Sequence, residues 1–228
     1  MQPPVVKINA TVRPEINEFI SCVHRFYPSD FQNQSGEKYS NPIIDKIVEE
    51  KVNQLIYGNL PNSCYTLMAE VRELFKDKII IKGLERQFPS YGMTIMLNES
   101  TQNNIRSQTT ITLKISLLTN YYTVFFEEFN WFLNFSKFKS INRPTLFRIF
   151  SSSNPAIDLD NLYSNALKKI IGENFPDHKF VDHKLLFNKK IEYGFPYQLN
   201  TDEKSFPLFA YLFDNDVFLA GNNYEVVE

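Results

Sequence analysis

The stretch ITLKISLLTNYYTVFFEEFNWFL, residues 111–133, concentrates aromatic and aliphatic side chains in a chain whose mean hydropathy is only −0.30. A membrane helix, a buried sheet and an exposed docking face each produce such a run. Length removes the first: the longest uncharged window, 115–126, is 12 residues between Lys114 and Glu127, whereas a helix needs about 20 apolar residues to cross a bilayer. Periodicity favours the sheet. Ile111, Leu113, Ile115 and Leu117 alternate with Thr112, Lys114 and Ser116, the two-residue period of a strand. Thr119-Asn120 offers a reversal because Asn tolerates positive φ, and 121–128 returns alongside. On the returning limb Tyr121, Thr123 and Phe125 project to one side and Tyr122, Val124 and Phe126 to the other, so this strand requires cover on both faces. Trp131 and its neighbouring phenylalanines exceed what one strand face needs and are expected at the sheet's margin.

Helical periodicity supplies that cover. Ile16, Phe19, Ile20, Val23 and Phe26 recur at three and four. A polar, turn-rich segment follows, then a second helix capped by Asn41 with Pro42 at its first position, striped by Ile43, Ile44, Ile47, Val48, Val52, Leu55 and Ile56, and stopped by Gly58. A third begins near Asn62 or Ser63 and carries Leu67, Met68, Val71, Leu74 and Phe75. Met93, Ile95 and Leu97 then mark a strand, with the polar segment 98–108 expected as a mobile connection to the next. A short strand is expected over 145–151, and a helix over 158–172 with Asp158 or Asp160 as N-cap and Gly172 as stop. Residues 180–191 are expected to be extended, and residues 206–220, FPLFAYLFDNDVFLA, to form a hairpin turning at Asp214-Asn215. The resulting fold class is α+β: N-terminal helices packed on a mainly antiparallel β-sheet, one further helix near 158–172 and a C-terminal β-hairpin. A single domain over 1–228 is expected, with 1–80 as a candidate helical subdomain.

Several functions are excluded or weakened. At 228 residues, with 43% hydrophobic and 22% charged, the chain has a globular composition, and a formal charge of −2 gives no overall field for nucleic acid or anionic lipid. The N-terminus lacks a secretory signal pattern, and Cys22 and Cys64 are best read as free buried thiols; a cytoplasmic protein without a membrane partner is expected. No nucleotide, zinc-protease, hydrolase or EF-hand motif is present, so no catalytic residue, cofactor or metal site is assigned. Asp177-His178-Lys179 recurs as Asp182-His183-Lys184. A spacing of five puts the two imidazoles on opposite faces of a strand and about 140° apart on a helix, so they are read as polar surface residues. Cys64, near a helix start, has the setting that can lower a thiol pKa, but no nucleophile signature surrounds it.

Two local charge biases remain. From 130 to 157 no acid occurs, while Lys137, Lys139, Arg143 and Arg148 mix with Phe135, Phe138, Phe147 and Phe150. Such a mix suits single-stranded nucleic acid, though a basic sheet edge with its rings buried is the preferred reading. Residues 198–228 instead hold Asp202, Glu203, Asp214, Asp216, Glu225 and Glu228 against Lys204 alone. Asp202, Glu203, Asp214, Asp216 and Tyr224 are accordingly the candidate partner-binding residues. In size, charge bias and the hairpin around ITLKISLLTNYYTVFF the chain resembles immunity proteins of bacterial toxin systems. That resemblance implies an α+β fold, no catalysis, and tight occlusion of a cognate, basic toxin domain. A structural or adaptor component of a bacterial or phage assembly is the alternative, and a nucleic-acid module using 130–157 a further one.

Overall fold

A computed structural model describes residues 14–27, 41–132, 146–150, 158–192, 196–198, 205–215 and 224–227. Helices α1 (Pro14–Phe26), α2 (Pro42–Ile56) and α3 (Asn62–Leu74) precede strands β1 (Ile79–Lys82), β2 (Ser90–Gln102), β3 (Ile105–Ser116), β4 (Tyr121–Phe132) and β5 (Leu146–Phe150). Helix α4 (Asp158–Asn174), strand β6 (Lys179–Phe180), helix α5 (His183–Asn188), strands β7 (Lys190–Ile191) and β8 (Phe206–Pro207), helix α6 (Leu208–Leu212) and strand β9 (Tyr224–Val227) complete the order. The α+β class is as expected. The main sheet runs β1-β2-β3-β4-β5-β9, with β6 joined to β4. Its consecutive strands pair antiparallel, and only β6 on β4 and β9 on β5 are parallel.

The returning limb is covered on both faces, as its doubly apolar pattern requires. Tyr91, Met93 and Ile95 of β2 lie in register with Ile115, Leu113 and Ile111 of β3, and these with Tyr122, Val124 and Phe126 of β4. This apolar face packs against Cys64, Leu67 and Val71 of α3 and Leu167 and Ile171 of α4. On the opposite face, Tyr121, Phe125 and Ile149 meet Phe19 and Val23 of α1, Ile44 and Val48 of α2, and the buried side chains of α5 and α6. The sheet is thus the middle of three layers.

Local chemistry accounts for the ends of α2. The Asn41 side chain accepts from the amides of Ile43 and Ile44 at 2.9 and 3.4 Å, Pro42 occupies the first turn, and Gly58 beyond the end has φ of +68°. At the border of the α2 stripe Ile43 and Ile56 are exposed rather than buried, as is Leu162 of α4.

Four expectations fail. Segment 98–108 is an ordered continuation of β2 and β3: Gln102 pairs with Ile105 across a two-residue turn in which Asn103 and Asn104 have φ of 49° and 62°. Two successive left-handed residues are what a tight hairpin needs, and Asn supplies them. Residues 183–188 are helical, because Asp182 accepts from the amide of Lys184 at 2.7 Å and caps α5. The C-terminal hairpin is replaced by β8 and α6. Leu208 to Leu212 are all buried, so the run has no polar face from which a period can be read; residues 216–220 lie outside the described residues. Finally, α4 passes through Gly172, where an added Cβ would meet nothing within 4 Å. Gly172→Ala is therefore expected to stabilise the protein by about 0.5–1 kcal/mol in urea denaturation, since helix propensity improves without a clash.

Candidate functional site

One end of the sheet is buried on both faces while the other projects: β2 is exposed from Asn98 onward, and β3 becomes buried only from Thr110. On this projecting ribbon the alternation of β3 and β4 places Arg106 opposite Trp131 and Gln108 opposite Phe129. The Arg106 guanidinium lies 5.4 Å from the Trp131 ring centroid and forms an ion pair with Glu99 of β2. Phe129 stacks on Trp131 at 5.8 Å with planes 21° apart. Both rings are half-buried. The result is an aromatic pair roofed by a cation near the sheet's margin, where surplus rings were expected. The ribbon's other face carries a polar ladder: Ser107 donates to Asn130 at 2.6 Å, Asn130 to Glu128 at 3.2 Å, and Arg148 bridges Glu128 and Glu225 at 3.8 and 3.1 Å.

Further in, the face of the sheet that carries Phe125 also bears a buried polar stripe. Thr94 and Thr112 share a hydrogen bond of 3.0 Å, and Thr112 and Thr110 donate to the Glu127 carboxyl at 2.5 and 3.2 Å. Burial raises the Glu127 pKa, opposed by the Thr112 hydroxyl and the charges of Lys82 and Lys114. Lys114 forms a buried ion pair with Asp214, and Ser116 donates to the Leu212 carbonyl at 2.8 Å. Gly92 lies against the Lys114 stem: a Cβ there would approach Lys114 Cδ and Nζ to 2.7 Å. These groups satisfy one another and tie the end of α6 to the sheet.

The expected site residues fare differently. Asp214 is only 2% exposed and paired inward with Lys114, so it is an internal anchor and not part of a docking rim. Tyr224 begins β9, in register with Phe147. Asp202, Glu203 and Asp216 lie outside the described residues. The two imidazoles lie in different settings. His178 lies edge-on to the Phe175 ring at 5.5 Å, whereas His183 is 1% exposed inside α5, contrary to its reading as a surface residue. Among the described residues, no three of His, Cys, Asp and Glu gather as metal ligands. Burial pushes the Cys22 thiol up to about 12 and also raises that of Cys64, opposite to the activation a helix start can give. Both thiols are free and buried.

Sequence reasoning missed Lys51, Glu127, Lys114 and Arg106. Lys51 was legible: it falls three residues after Val48 and four before Leu55, inside the apolar stripe of α2. The partners of Lys114 and Glu127 come from distant segments, which no local pattern announces. No described helix is long and apolar enough to cross a membrane. No protein-family model, curated protein or solved structure matches the chain.

Proposed function

We propose that this α+β chain is a non-catalytic protein-binding protein that neutralises a partner, in the manner of an immunity protein occluding its toxin. The observation that carries this reading is the Arg106–Trp131–Phe129 stack on the projecting ribbon. Trp and Arg are the residue types most enriched where binding energy concentrates: Trp buries a large area with only two side-chain torsions to immobilise, and the planar Arg fork stacks on aromatic faces while keeping its hydrogen-bond donors. The Glu99 carboxylate holds the Arg106 fork in place, so part of the ordering cost precedes binding.

The test is co-expression with the product of the adjacent gene, followed by affinity measurement with Trp131→Ala and Arg106→Ala. Trp131→Ala is expected to weaken the complex by about 2 kcal/mol or more, roughly 30-fold. Full retention by a variant whose fold is intact removes the ribbon from the interface. The buried position of Asp214 also changes how acidic docking must be tested: charge reversal there disrupts the interior, so the comparison belongs at Asp202, Glu203 and Asp216.

A second reading, a component of a larger assembly, draws support from edge strand β1, where Ile79 and Ile81 are 60% and 43% exposed. Unpaired edges favour strand addition. Size-exclusion chromatography separates the two readings, since an assembly component elutes as large complexes. The nucleic-acid alternative loses support at Arg148, which two carboxylates already neutralise.

A further inference from the structure

The main sheet ends in two edge strands of opposite charge. Among the described residues, β1 pairs only with β2 and β9 only with β5. In sequence, Lys78 and Lys82 bracket Ile79 to Ile81 at the first edge, as Glu225 and Glu228 bracket Val226 and Val227 at the last. Ile79 and Ile81 are among the exposed large apolar side chains. The charges stand at the surface while making contacts within the chain: Lys78 is exposed and its Nζ donates to the Leu97 carbonyl at 2.8 Å, Lys82 attracts Glu127, and Glu225 is 59% exposed beside Arg148.

The two edges also lie at one level of the sheet. A single cross-strand row runs Ile80, Ile95, Ile111, Phe126, Phe150, Val227, and the next runs Ile79, Met96, Thr110, Glu127, Ile149, Val226. Four antiparallel steps from β1 to β5 restore the starting direction and β9 is parallel to β5, so β1 and β9 point the same way. A further copy added with its sheet faces unchanged therefore brings its β1 beside β9 in parallel, with Ile79 against Val226, Ile80 against Val227 and Lys78 against Glu225. Pairing β1 with another β1 instead sets lysine against lysine, the arrangement that edge lysines deter.

We propose that copies of this chain associate head to tail, the β1 edge of one adding in parallel to the β9 edge of the next, so that one sheet continues through successive molecules. Opposite edges are used, so the contact is heterologous, and each added copy offers a fresh edge until a ring closes. This pairing rests on the reading of the chain as an assembly component and names its partner, a second copy; it does not involve the Arg106–Trp131 ribbon. Short edges held partly by exposed ion pairs make the association dependent on concentration and weaker in salt.

Sedimentation velocity of the purified full chain over a concentration series, at low and high salt, tests the pairing. The wild type is expected to form species larger than the monomer, whose share grows with concentration and falls with salt. Lys78→Glu and Glu225→Lys are each expected to weaken association at least about tenfold, because like charges then stand opposite one another. Mixing the two variants is expected to restore it, since each supplies the edge that complements the other's altered one. A wild type that stays monomeric throughout overturns the pairing; large complexes of the same protein in native extract would then leave an assembly with other proteins standing. Variants that associate as the wild type does overturn it too, as does a mixture that remains monomeric while the wild type associates. If either variant fails to fold, hydrogen exchange of the wild type decides: amides of 79–82 and 224–227 are expected to gain protection with concentration relative to Leu113 and Val124, and no gain ends the proposal.

Discussion

Asp214→Ala is expected to lower stability by about 3–5 kcal/mol, measured as a shift in urea midpoint at constant m-value. The loss arises less from the attraction removed than from what remains: the Lys114 side chain, buried on β3 against Gly92, is left without its carboxylate partner. Lys114→Met is expected to be costly for the mirror-image reason. The double variant Lys114→Met with Asp214→Leu should recover most of the loss, because two apolar side chains of similar volume need no counter-charge. A comparison lies on the ribbon, where the exposed Arg106–Glu99 pair belongs to the class worth at most about 1 kcal/mol. If Asp214→Ala costs no more than that, the carboxylate is not the anchor of the C-terminal segment.

That expectation rests on a residue whose role was not legible in the sequence, and the reason is physical. Where apolar residues fall on one face, pattern suffices: α1 and α2 followed from apolar residues at three and four, and β3 from apolar residues at every second position. Cap chemistry is equally local, which is why Asn41, Pro42 and Gly58 were readable. The turn at Asn103-Asn104 was readable by the tolerance already invoked for Asn120, but a polar segment solvated on both faces carries no alternation, and the β2–β3 ribbon therefore looked like a loop. Its Arg106–Trp131 contact depends on that register and was invisible with it. The opposite limit is α6, where burial on every side erases the period just as completely. Asp214 follows from this error: placed at a hairpin turn it would face solvent, whereas at the end of a buried helix it must find a counter-charge.

The same helix carries the second large effect. Phe209→Ala is expected to destabilise the protein by about 3–5 kcal/mol, the range for deleting a fully buried ring. Phe209 lies 4.4 Å from Phe187 of α5 in a stacked arrangement, 5.4 Å from Phe213, and edge-on to Phe125 of β4 at 5.6 Å. It is fully buried, so its removal forfeits both transfer free energy and the contacts of three surrounding rings. Collapse into the space is opposed from two sides, since Ser116 holds the Leu212 carbonyl and Tyr27 donates to the Tyr211 carbonyl at 2.8 Å. Phe209→Leu keeps much of the volume and is expected to cost less than half as much. Leu162→Ala, at a side chain 62% exposed on α4, is expected to stay within about 0.5 kcal/mol. Because domains are stable by only about 5–15 kcal/mol, the Phe209→Ala protein should be the one whose C-terminal segment becomes protease-sensitive at growth temperature. Equal losses at Phe209 and Leu162 would mean that α6 is not seated in the interior.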